Sequence, residues 1–135
     1  MNENIFALLV HERSEPFIQL ESKLKELSVE TWNIETAHAA GHVIAQYKPN
    51  LVFIDLALWA RSYKYLINLA KKANMTVHIV VVGTAPDIDL YASLMEQGAA
   101  SFLATPFASG ALDIVIHSAT MDAYEQQLAI VGGKV

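Results

Sequence analysis

Hydrophobic residues gather along this chain in short runs. Residues 5–10, 51–56 and 77–82 are nearly continuous, and a briefer run covers 101–104. Unbroken apolar runs of this length are the pattern of strands buried on both faces. Residues 29–34 mix polar and apolar side chains and predict an edge strand. Between the runs the period changes to that of helices. Phe17, Leu20, Leu24 and Leu27 recur at spacings of three and four, with Ser14 and Pro16 marking a helix start. Residues 36–46 predict a small, alanine-rich second helix, stopped by Lys48-Pro49-Asn50. A third helix is expected over 62–73, and a fourth over 86–97, ended by Gly98. A fifth starts at Ser109 and reaches Gln127 or beyond.

The order is a strand followed by a helix, five times. Alternation of this kind predicts a parallel sheet with helices on both faces, and right-handed crossovers leave few topologies. The expectation is a doubly wound α/β fold with the flavodoxin-like strand order 2-1-3-4-5. In such sheets the functional crevice lies at the carboxyl ends of the central strands. The length of 135 residues fits one domain. It is placed at 1–127, with 128–135 as a tail or the start of a linker to an output domain.

Composition removes several chemistries. The chain has no cysteine, which excludes disulfides, thiolate metal sites and cysteine nucleophiles and suits a reducing cytoplasm. The N-terminus has no positive charge ahead of its apolar run, unlike a signal peptide, and no stretch is long and apolar enough to span a bilayer. The net charge is −5, and its distribution matters more than its size. No Lys or Arg lies between residues 73 and 133, where Asp87, Asp89, Glu96, Asp113, Asp122 and Glu125 stand. Such a half has no face to neutralise phosphates, so direct nucleic-acid binding is not expected.

The candidate chemistry stands where the predicted strands end. His11-Glu12 follows the first, Asp55 closes the third, Gly83-Thr84-Ala85 follows the fourth, and Thr105-Pro106-Phe107 follows the fifth. Gln97-Gly98-Ala99 precedes Phe102. Taken in this order and spacing, these residues resemble the receiver domains of two-component response regulators over nearly the whole chain. The resemblance implies that Asp55 occupies the phosphoacceptor position. It implies that Thr84 is the hydroxyl that contacts the phosphoryl group, and that Phe102, with Thr84, is the switch. It also implies a cis peptide before Pro106. Mg²⁺ would be held by Glu12, Asp55 and the backbone carbonyl of Ala57. Two positions depart from the pattern. His11 replaces one acid of the acidic pair and is a poor Mg²⁺ ligand. Thr105 replaces the usual lysine, leaving one neutral donor where a fixed cation is expected.

Other features have plainer readings. Thr84 also suits the N-cap of the fourth helix. His38 and His42 share a helix face at i, i+4, with no third ligand nearby, and read as exposed polar residues. Trp59 is expected in the loop after Asp55, as an exposed contact or a lid. On the last helix Leu112, Val115, Ile116, Ala119 and Ala123 can face the sheet, while Ile114, Met121 and Leu128 recur every seven residues. His117, Tyr124 and Val131 lie between them. This second stripe predicts a homodimer or a signalling helix through the last element.

The resulting expectation is a receiver-like signalling module, not an enzyme beyond self-phosphorylation of Asp55 from a phosphodonor. A histidine kinase and an output domain or partner protein are the expected partners. The alternative is a phosphorylation-independent pseudo-receiver that acts by protein interaction or dimerisation. A flavodoxin-like ligand-binding domain stands third, because His11-Glu12-Arg13-Ser14 replaces a Gly-rich phosphate loop.

Overall fold

A computed structural model describes residues 5–72 and 77–132, with the side chains of the last helix described as far as Glu125. The elements in chain order are β1 (Phe6–Val10), α1 (Glu15–Glu26), β2 (Glu30–Ile34), α2 (Ala37–Tyr47), β3 (Leu51–Asp55), α3 (Leu56–Lys72), β4 (His78–Thr84), α4 (Ile88–Glu96), β5 (Ser101–Thr105) and α5 (Ala111–Gly132). All four strand pairings are parallel, and the sheet order is β2-β1-β3-β4-β5. The predicted doubly wound topology is therefore present. β2 lies at an edge with only partly buried side chains, as its mixed pattern requires.

The pleat sorts strand residues into two cores. Ala7, Leu9, Leu51, Phe53, Val80, Val82 and Leu103 pack under α1 and α5. Leu8, Val10, Val52, Ile54, Ile79 and Val81 pack under α2, α3 and α4. The apolar runs are continuous because both strand faces are covered. α5 contributes Ile116, Ala119 and Ala123 to the first core, while Ile114, Met121 and Tyr124 remain exposed. The two stripes read from the sequence are therefore present as far as Glu125; Leu128 and Val131 lie outside the described side chains.

Several boundaries differ from the sequence reading. α3 starts at Leu56, directly after Asp55, and not at Ser62. Trp59 is consequently neither a loop residue nor a lid. It is fully buried on the first turns of α3 and donates its indole N–H to Gln97 Oε1 at 2.8 Å. β4 runs on to Thr84, and α4 starts only at Ile88. Its N-cap is Asp87, whose side chain accepts from the Leu90 amide at 2.8 Å, so Thr84 does not cap this helix. α5, by contrast, reaches Gly132, in keeping with the expected span to Gln127 or beyond.

Candidate functional site at the carboxyl ends of the strands

Strand register brings the candidate residues together. Asp55 pairs with Val82 across β3 and β4, and Thr84 pairs with Thr105 across β4 and β5. Val82 belongs to the core under α1 and α5. Side chains alternate along a strand, so Asp55, Thr84 and Thr105 all face that side of the sheet, at its carboxyl edge. Asp55 and Thr105 are half-buried and Thr84 is exposed. Thr105-Pro106 is cis. An open groove of about 570 Å³ leads from this edge between α1 and the loop after β5, lined by Glu15, Pro16, Ile18, Gln19, Thr105, Pro106 and Phe107. Phe102 sits deeper, paired with Val81 and partly buried against the core under α3 and α4.

The first strand's end is organised differently. The Ser14 amide donates to His11 Nδ1 at 3.0 Å, so that nitrogen carries the lone pair. The proton is then on Nε2, 2.8 Å from Asn33 Oδ1. The ring also stacks on Phe17, with centroids 4.3 Å apart. Asn33 in turn donates to Glu21 Oε2 at 3.1 Å. Both nitrogens are occupied, so His11 tethers β1 to β2 and α1 and has no lone pair free for a metal. Arg13, in a left-handed turn at φ 58°, is drawn to Glu35 at 3.2 Å, toward the end of β2.

Glu12 is exposed, and its Oε2 lies 3.8 Å from Nη2 of Arg61 on α3. The sequence reading missed Arg61; its signal was a cation six residues after Asp55 on the element that follows it. The Ala57 carbonyl, set down as a metal ligand, lies in the first turn of α3. A helical carbonyl points along the axis to the amide four residues on, here that of Arg61, and so away from the crevice. Mg²⁺ asks for near-ideal octahedral oxygen coordination. Two carboxylates, one of them ion-paired, with the carbonyl turned away, do not fit that demand. Among the described residues no group of three His, Asp or Glu side chains is placed to hold a metal ion. His38 and His42 meet edge-on, with ring centroids 4.8 Å apart, and bring no third ligand.

This arrangement is the fold of response-regulator receiver domains, and solved receivers superpose over nearly the whole chain. A signal receiver domain from Vibrio parahaemolyticus matches with a TM-score of 0.78 at 22% identity, over 93% of this chain and 96% of that one. The receiver domain of NtrX from Brucella abortus matches with a TM-score of 0.69 at 23% identity, over 84% and 96%. The beryllofluoride-activated NtrC4 receiver domain dimer matches with a TM-score of 0.74 at 18% identity, over 87% and 98%. No protein-family model matches the sequence, and no curated protein does. Among the described residues no helix is long and apolar enough to cross a membrane.

Proposed function

We propose that this chain is a receiver-like signal-transduction module of the two-component kind, with Asp55 in the phosphoacceptor position and output through its last helices. The observation that carries this reading is the alignment of Asp55, Thr84 and Thr105 at the carboxyl edge, on one side of a 2-1-3-4-5 sheet. An Asp55 carboxylate oxygen would attack the phosphorus of a kinase phosphohistidine, forming the O–P bond as the P–N bond breaks. The Thr84 and Thr105 hydroxyls would donate to phosphoryl oxygens. A neutral hydrogen bond is worth about 1 kcal/mol net, against about 1.5–3 kcal/mol for a charged donor. Thr105 therefore couples phosphorylation to Thr84 and Phe102 more weakly than a lysine would. In this reading the module works in the cytoplasm, and residues 128–135 are a tail or the start of a linker to an output domain. The exposed Ile114, Met121 and Tyr124 on α5 suit self-association, and a similar receiver, NtrC4, is described as a dimer.

A second reading has its own support. His11 is held by Ser14 and Asn33, Glu12 is paired with Arg61, and the Ala57 carbonyl is turned along its helix, which argues against a receiver's usual metal site. These contacts favour a module that signals by protein contact without phosphorylation. Intact-mass spectrometry after incubation with acetyl phosphate, with and without Mg²⁺, separates the two. The first reading expects one added phosphoryl group on the wild type and none on Asp55→Asn. Absence of the adduct throughout a short time course leaves the phosphorylation-independent module.

A further inference from the structure

Asp55 closes β3 and Glu12 follows β1 at the carboxyl edge of the sheet, and β4 and β5 carry no Lys or Arg to set against them. We propose that Arg61 is the built-in cation of the crevice, taking by its pairing with Glu12 the place that a divalent ion holds in a metal-dependent receiver. The proposal rests on the receiver-like reading of Asp55 and its neighbours, and it arises from the misfit of the donor set to Mg²⁺.

Among the described residues, charge distribution leaves Arg61 as the source; Lys48 lies ahead of β3, at the amino end of the sheet. No Lys or Arg lies between residues 73 and 133, so α4, β5 and α5 supply none. Arg13 is turned toward Glu35. Lys23 is held by Asp113 at 2.9 Å and Lys25 by Glu21 at 3.6 Å, both along α1. Lys64, Lys71 and Lys72 lie further along α3, which runs away from the crevice. Arg61 is nearer its start, and helical side chains lean toward the N-terminus of their helix. That lean carries the guanidinium back toward the strand ends, where it meets Glu12 at 3.8 Å. The pair is exposed, 61% for Arg61 and 68% for Glu12, so the guanidinium is free to exchange partners.

The consequence is competition. A divalent ion that takes up Glu12 must displace a cation already there and then sit beside it. Coulomb repulsion between a double and a single charge about 5 Å apart in salt-containing water weakens metal binding about five- to tenfold.

Mn²⁺ serves as the probe, because the resonance of the free ion disappears on binding. In a titration followed by electron paramagnetic resonance, Arg61→Gln should bind Mn²⁺ about five- to tenfold more tightly than wild type. Arg61→Lys should stay close to wild type, and adding Glu12→Gln to Arg61→Gln should cancel the gain. Equal Mn²⁺ affinity of wild type and Arg61→Gln overturns the proposal, as does a gain that survives the loss of Glu12. Arg61 is exposed, so the variants should melt within a few degrees of wild type, and a thermal scan verifies this. The titration needs no phosphorylation, so a failure of Asp55 to accept phosphate would not mimic either result.

Discussion

The two ends of the sheet are built on opposite principles. At the amino end one residue ties three of the five strands together. Asn50, just ahead of β3, accepts from the Phe6 amide through its side chain at 3.0 Å. Its own amide donates to the Phe6 carbonyl at 3.1 Å, and its carbonyl accepts from the His78 amide at 3.1 Å. One asparagine thus joins the starts of β1, β3 and β4. At the carboxyl end the polar side chains of Asp55, Thr84 and Thr105 line a crevice, and among the hydrogen bonds of the described residues none ends on them. Asp55 and Thr105 are half-buried and Thr84 is exposed, at the edge where sheets of this topology bind ligands. The amino end is therefore tied by hydrogen bonds, while the carboxyl end presents open polar side chains.

Breaking the stitched end should have the largest effect. Asn50→Ala removes the acceptor of the Phe6 amide, half-buried at the start of a central strand. An orphaned donor of this kind costs about 1–3 kcal/mol. Urea unfolding should show the midpoint fall with an unchanged slope. A change under about 0.5 kcal/mol would mean that the amino end is held by its backbone bonds alone.

A smaller effect at the same end depends on pH. His78 opens β4, and its Nδ1 lies 3.1 Å from Asp122 Oδ2 on α5. Burial lowers the His78 pKa below its usual 6.5, and the attraction of Asp122 only partly offsets this. Below pH 6.5 the unfolded chain takes up a proton that the folded chain resists. Stability from this residue is therefore intact above about pH 6.5 and is lost as pH falls toward the lower folded value. The stability difference between wild type and His78→Gln should be flat above pH 7 and should shift against wild type below pH 6.5. Asp122→Asn removes the opposing attraction and should steepen the decline. A parallel pair of pH profiles would show that His78 charges freely in the fold.

These two ends were not equally legible in the sequence. Strand runs, the fold and the placement of Asp55, Thr84 and Thr105 follow from burial on both faces and from local order, which a linear pattern records. The start of α3 did not, because Leu56-Ala57-Leu58-Trp59 continues the apolar run of β3 and carries no capping residue. Trp59 was misplaced with it. The sequence shows His11 only as a replaced acid, because its role depends on Asn33, which is 22 residues away and adjacent only through the β1–β2 pairing. Arg61 and Glu12 leave no periodic trace, since an exposed ion pair is fixed by where α3 begins. Asn50 looked like part of a helix stop, because its three bonds span residues 6 to 78.

The smallest effect is expected at the open end, and it sharpens the contrast most. Asp55→Asn keeps the side chain's shape and removes its charge. No hydrogen bond among the described residues depends on the Asp55 carboxylate, which is half-buried. An isosteric change at such a position should alter stability by less than about 0.5 kcal/mol. Chemical denaturation of the two proteins in the same buffer measures the difference directly. A near-zero or slightly stabilising result fits a carboxylate kept for chemistry or recognition, since the fold does without it. A loss above about 1 kcal/mol would make Asp55 a structural residue of the β3–α3 junction. The crevice would then be a second stitched end, and the absence of a phosphoryl adduct on Asp55→Asn would no longer identify the acceptor.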